Sequence, residues 1–330
     1  MDIAGTPSRS RPAMIRLEHL TKIYDLPPDG GGTGQVIAAE GVNLDIPSGE
    51  IFGLVGPNGA GKTTTLKMLC GLLVPTAGRV TVNGVDVERH PEDAQRHIGY
   101  LADFFSLYDD LKVWEYLDYF ARAYKIEPRA ISARVDYAIG VMGLEAKRGA
   151  FISGLSRGMK QRLGIARTIL HDPPVLVLDE PAAGLDPNAR VDFKQLIRNL
   201  HREGKTVFIT SHLLADLEEL CTSVGIMEKG RLVRAGPLEQ IVREATGTRT
   251  IRVRLASPEF ALISWMGAQP GVVGVQPDAS GARFRYAGSD TDLAVLVRAL
   301  VTAGAQVYAV EEVTETLEQA FSRLSRGEVT

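Results

Sequence analysis

The stretch Gly56-Pro57-Asn58-Gly59-Ala60-Gly61-Lys62-Thr63-Thr64 constrains this chain more than any other. It follows the apolar run Ile51 to Val55 and opens the helix-like segment Thr65 to Leu72, so it reads as strand, loop and helix. Glycines let such a loop fold around an anion, with successive N–H groups and the positive end of the helix turned toward it. Lys62 then reaches β- and γ-phosphates, and the Thr63 hydroxyl ligates Mg²⁺. A glycine-rich turn that binds nothing would not need all four defining positions filled with both flanks right. The expectation is a nucleotide-binding protein.

Downstream, Val175-Leu176-Val177-Leu178 suits a fully buried parallel strand, and Asp179-Glu180 follows at its end. Open α/β sheets present ligand-binding groups there. Asp179 is placed to hold Mg²⁺, directly or through water, and Glu180 to polarise an attacking water as general base. Thr206 to Thr210 is a second buried run, and Val191, Leu196, Ile197 and Leu200 have helical spacing between the two. Met14 to Tyr24, Val36 to Ala39 and Val42 to Ile46 read as strands ahead of the phosphate loop. Pro27 to Gly34 reads as a flexible loop, and Arg79 to Val82 with Asn83-Gly84 as a hairpin arm. Val113 to Tyr124 and Ile131 to Met142 are helical in period and broken at Glu127-Pro128, which makes the middle third a helical insert.

Leu155-Ser156-Arg157-Gly158-Met159, followed by Lys160-Gln161-Arg162-Leu163, lies just upstream of the acidic pair. With these motifs in this order, the chain resembles the ATP-binding cassette (ABC) ATPases. The resemblance implies an α/β P-loop NTPase with an antiparallel β subdomain and a helical subdomain at about residues 90–170. It implies ATP and Mg²⁺ as ligands, and ATP hydrolysis. In that family the segment at 155–159 completes the site of a second copy, so Ser156 and Gly158 would touch the γ-phosphate in trans at a helix N-terminus. Tyr24 resembles the aromatic that stacks on adenine. Asp186, in Ala183-Gly184-Leu185-Asp186, resembles the anchor of a loop that crosses the dimer interface, and His212 the switch histidine that contacts the γ-phosphate.

The chain departs from the family pattern in three places. Asp103 stands where the family has a glutamine that links Mg²⁺ and water to the helical subdomain; a carboxylate can ligate Mg²⁺ but cannot donate a hydrogen bond. Arg157 replaces a glycine and Met159 a glutamine in the signature, and Ala183 stands where serine is common. None of these alters Lys62, Asp179, Glu180 or His212, so hydrolysis is still expected. Ser-Arg-Gly-Met-Lys-Gln-Arg and the lead-in Ile98-Gly99-Tyr100-Leu101 resemble the ATPase subunits of bacterial ABC-2 type exporters. That implies a homodimer on a separate polytopic permease, held peripherally at the cytoplasmic face of the cell membrane. Two rivals remain: a soluble regulatory or ribosome-linked cassette, and a regulatory module with feeble turnover.

Phe104, Phe105, Leu107, Tyr108, Leu111, Val113 and Trp114 either pack the helical insert or, as in the family, form the groove that receives a short helix of the membrane subunit. The 330 residues allow two domains, and 37 basic against 40 acidic residues give no basic excess to suggest nucleic acid. Cys70 and Cys221 are too few for a disulfide framework and read as buried apolar fillers in a reducing cytosol. Residues 1–13 read as a disordered arm without the apolar core of a signal peptide, and no segment is apolar enough to span a membrane. The ATPase domain is expected at 14–240. Beyond it, at 249–330, the pattern β-α-β-β-α-β-α suggests a small ferredoxin-like α+β domain. Its strand Arg249 to Leu255 turns Ile251, Val253 and Leu255 inward, Ser257-Pro258 caps a helix, and Leu317, Ala320, Phe321 and Leu324 stripe a final helix. It carries no ligand motif.

Overall fold

The computed structural model describes residues 13–25, 34–213, 217–241, 249–256, 261–278 and 280–313. Of the sequence expectations, the N-terminal arm up to residue 12, most of the loop from Pro27, the Ser257-Pro258 cap and the last helix fall outside these residues. Ala13 opens the first strand instead of closing the arm. The chain divides into two compact units, Met1–Pro237 and Leu238–Thr330.

In the first unit, strands β1 (Ala13–Asp25) and β2 (Gln35–Pro47) form a long antiparallel pair. The sequence reads β2 as two strands; the structure keeps it continuous through Gly41, whose φ of 57° absorbs an irregularity in the ladder. Strand β3 (Ile51–Val55) enters the phosphate loop, and α1 (Lys62–Leu69) leaves it. The pair β4 (Ala77–Val82) and β5 (Val85–Asp86) turns at Asn83 and Gly84, which both hold positive φ as a type I′ hairpin needs. These strands form an antiparallel sheet in the order β2-β1-β4-β5.

Helix α2 (Pro91–Arg96) and strand β6 (Ile98–Leu101) come next. Because β6 pairs in parallel with β7 (Val175–Leu178), the insert expected from about residue 90 begins later, at helix α3 (Val113–Ala123). The sequence misses β6 because four residues with a central glycine give too short a period. Helices α4 (Ile131–Val141) and α5 (Arg157–Thr168) complete the insert. After β7 come α6 (Pro187–Arg202), β8 (Thr206–Ser211), β9 (Ser223–Glu228) and β10 (Arg231–Pro237). On α6 the buried residues are Phe193, Leu196, Ile197 and Leu200, while Val191 faces outward at 66% exposure.

The central sheet runs β10-β9-β3-β8-β7-β6, parallel except for β10. All of β3, β7 and β8 is buried, as a parallel sheet covered on both faces requires. Leu66, Met68 and Leu69 of α1 share one core with Ile15, Leu17 and Leu44 of the antiparallel sheet and Phe52, Leu54, Val177 and Phe208 of the parallel one. Burying each such side chain contributes roughly 1.5–3 kcal/mol, so the helix that follows the phosphate loop is anchored from both sides.

The second unit has β11 (Arg249–Leu255), α7 (Leu262–Gly267), β12 (Val272–Asp278), β13 (Gly281–Tyr286), α8 (Asp290–Thr302) and β14 (Val307–Val313). Its antiparallel order β12-β13-β11-β14 is the ferredoxin-like arrangement that the sequence pattern suggests. Ile251, Val253, Phe284, Leu296 and Leu300 fill its separate core.

Candidate nucleotide site

Adjacent parallel strands β3, β8, β7 and β6 all end on the same edge, and each delivers a polar segment there. From β3 comes the phosphate loop. Three of its glycines are needed for different reasons. Gly59 holds φ 79° in open space, whereas a Cβ on Gly56 would collide with the Met227 carbonyl and one on Gly61 with that of Ala38. Gly61 also caps α1 with φ 100°, leaving the helix N–H groups free of a side-chain cap. Asn58 and Gly59 form the loop's turn, Ala60 donates its N–H to Pro57 at 3.1 Å, and Thr64 follows on the first turn of the helix.

Lys62 is buried, with Nζ donating to Gly56 O at 2.7 Å and lying 3.5 Å from Glu180 Oε1. Asp179, 2% exposed, leaves the end of β7 with its N–H on Leu101 O. Its Oδ1 accepts from Thr210 at 2.5 Å, and the Thr63 hydroxyl points at the same oxygen from 3.5 Å. Thr63 and Asp179 thus present a hydroxyl and a carboxylate side by side, an oxygen donor set suited to Mg²⁺ beside phosphate. Glu180 adopts φ 47°, sparsely populated for a non-glycine residue, and its Oε2 takes the His212 Nδ1 at 2.8 Å and the His212 N–H at 3.3 Å. The Glu180 carboxylate is therefore held between a lysine and a histidine.

Asp103 follows β6. Burial and then the carboxylates of Asp179 and Glu180 raise its pKa above the usual carboxylate value, against the opposing pull of His212 and Arg157. It belongs to the same electrostatic cluster. Tyr24, at the end of β1, is 40% exposed with the Lys22 ammonium 5.3 Å from its ring centroid.

The signature lies at another helix start. Leu155 is buried, Ser156 caps α5 by accepting from Met159 N at 3.3 Å, and Arg157, Gly158 and Met159 form the first turn. Asp186 caps α6 by accepting from Ala189 N at 2.9 Å. A Cβ on Gly158 would stand 3.5 Å from that of Ala189, so the two helix N-termini lie side by side. Both cysteines are buried free thiols whose pKa burial raises, which makes them inert fillers.

Sequence reasoning misses Thr210, which bonds Asp179 and also accepts the Glu180 N–H at 3.0 Å. A hydroxyl closing a β-branched apolar run is its only signal. It also misses the β9–β10 turn, where Gly230 donates to Ala60 O and accepts from Glu40 N, while Arg231 grips Glu40 at 2.8 Å through both nitrogens.

The ABC transporter family profile matches residues 39–183. The Nod factor export ATP-binding protein I of Neorhizobium galegae is 36% identical over 258 residues, covering 78% of this chain and 72% of that protein. The chain belongs to the ABC transporter family. A probable multidrug ABC transporter ATP-binding protein of Escherichia coli K12 is 38% identical over 71% of this ABC ATPase, which spans only 38% of that longer relative. Among solved structures, an ATP-binding subunit of an ABC transporter aligns with 31% identity and a TM-score of 0.60, over 70% of this chain and 92% of the other. A dimeric cassette in a post-hydrolysis state with ADP and phosphate aligns with 25% identity and a TM-score of 0.61, over 68% and 99%.

Proposed function

We propose that this ABC ATPase binds Mg·ATP, pairs head to tail with a second copy, and powers export through a separate membrane permease. The observation that carries the reading is the convergence of Lys62, Thr63, Asp179, Glu180 and His212 at one sheet edge. Lys62 releases Gly56 O and Glu180 to bind the β/γ-phosphates. Thr63 and Asp179 would hold Mg²⁺, and Asp103, whose carboxyl feels those of Asp179 and Glu180, is the further candidate ligand. When bound, Mg²⁺ supplies charge neutralisation on the phosphate oxygens. Glu180 accepts the proton of the attacking water as the new P–O bond forms and the β–γ bridge breaks, and His212 keeps that carboxylate aimed. Tyr24 offers a ring face to adenine.

Ser156 and Gly158 then serve the other copy's nucleotide, where the two adjacent N-termini of α5 and α6 supply positive potential. The dimeric cassettes among similar structures support the pairing. The Nod factor export relatives support the exporter assignment. Among the described residues no helix is long and apolar enough to cross a membrane, in keeping with a spanning partner on a separate chain.

A tagged pull-down from detergent-solubilised membranes tests the reading. One stoichiometric polytopic protein is the expected co-purifying chain, and recovery of soluble partners alone would overturn the transport role.

A further inference from the structure

Arg157 stands on the first turn of α5, and its guanidinium Nη2 donates to the Ala183 carbonyl at 3.2 Å. Ala183 and Gly184 lie between Glu180 and α6, so this bond ties the helical insert to the segment that carries the general base. Gly184 makes room for it: φ there is 67°, and a Cβ would fall inside the Arg157 guanidinium. A side chain at 184 would displace the Arg157 guanidinium from this seat. The same elements meet again where Gly158 abuts Ala189 and where Arg162 Nη2 lies 2.5 Å from Asp192 Oδ2. The Arg157 contact reaches closest to the catalytic strand, and its electrostatic pull extends to Asp103. A planar guanidinium laid over a bare glycine positions a loop with little rotamer freedom left to lose.

We propose that Arg157 is a positioning residue that straps the Ala183–Leu185 loop to the head of α5, so that signature and interface loop move as one body when two copies close on ATP. The inference rests on the head-to-tail dimer proposed above. Without the strap, the loop must be ordered separately at each closure. Nucleotide contacts in the phosphate loop are untouched, so the loss falls on turnover and cooperativity more than on ATP affinity.

The test is a double-mutant cycle in the full chain with Arg157→Gly and Gly184→Ala, reading kcat, KM for ATP and the Hill coefficient. Arg157→Gly is expected to lower kcat about fivefold and bring the Hill coefficient toward about 1, with KM held within about twofold. Arg157→Lys, which keeps a charged donor but not the planar fork, recovers part of the loss. Gly184→Ala costs about tenfold with Arg157 present, because it displaces the guanidinium as well as straining the φ of 67°, and about threefold more in the Arg157→Gly background, where only the backbone strain is left. Additive losses, or wild-type turnover and cooperativity in Arg157→Gly, would overturn the strap. ATP-driven dimerisation of Glu180→Gln, with Arg157 intact, is followed in parallel by light scattering. If that dimer fails to form, the sandwich falls, and the strap is then judged by the coupling in kcat alone.

Discussion

The phosphate loop and the signature both sit at helix N-termini, but different forces hold them. The loop is seated by main-chain contacts: Gly56 against Met227, Gly61 against Ala38, and the Ala60 carbonyl on Gly230. Lys62 on it and Asp179 beside it are buried, at 6% and 2% exposure. The signature is held by side chains at the surface: Ser156 and Asp186 as caps, Arg157 across to Ala183. A buried, backbone-built cradle is pre-organised for a ligand of this chain. A surface of two capped helix starts is shaped for something brought to it.

Substitutions at each end can break this contrast. Lys62→Ala has the largest expected effect: ATPase activity falls by about a thousandfold or more, since the transferring phosphoryl loses its charge clamp. Steady-state turnover with a nucleotide-binding titration checks it, and unchanged activity would remove the phosphate-loop role. Glu180→Gln keeps the shape and the His212 contact but cannot take a proton, so activity drops about 10²–10⁴-fold. ATP should then accumulate a stable dimer by size-exclusion chromatography. Turnover at the wild-type rate would mean another group is the base.

Thr210→Val sharpens the comparison from behind the site. It leaves the buried Asp179 oxygen and the Glu180 N–H without their shared hydroxyl, at a cost of about 2 kcal/mol, read as a Tm lower by about 5 °C. His171, at the far end of β6, tests burial by pH. Its ring packs on Tyr124 at 4.3 Å and its Nε2 meets Ile98 O, and burial lowers its pKa from 6.5 to about 4. A depressed histidine favours the neutral fold, so its contribution is full above pH 6.5 and is lost as pH falls toward about 4. Urea titrations at pH 7.5 and 5 should show a wild-type loss about 2 kcal/mol greater than that of His171→Gln. Asp186→Ala is the mildest, removing one cap for about 1 kcal/mol. Its ATP affinity should stay at the wild-type value while Asp186→Asn restores stability; weakened monomer binding would dissolve the distinction between the two ends.

Much of the site is legible in the chain because it is assembled from contiguous motifs. Gly56 to Thr64 carries its own turn chemistry and helix start, and Val175 to Glu180 announces a buried strand with acids at its mouth. The second unit reads well for the same reason: alternation in Arg249 to Leu255 marks a half-buried strand, and the structure turns Ile251, Val253 and Leu255 inward. Strand β6 is lost because Gly99 and Tyr100 interrupt its four residues, whereas the equally short β7 is an unbroken apolar run. Val191 misleads because helical spacing alone does not say which stripe faces the sheet; Phe193 takes that place.

Local pattern determined the nucleotide chemistry: glycines for the loop, a lysine, a hydroxyl and two acids at strand ends. Only the tertiary structure decided how those groups are aimed. Thr210 bonds Asp179 across 31 residues, His212 holds Glu180 across 32, and Arg157 reaches Ala183 across 26. Each of these depends on which strands lie side by side and in what register. Side-chain identity within a segment cannot encode that order; it arises when β3, β8, β7 and β6 pack into one sheet.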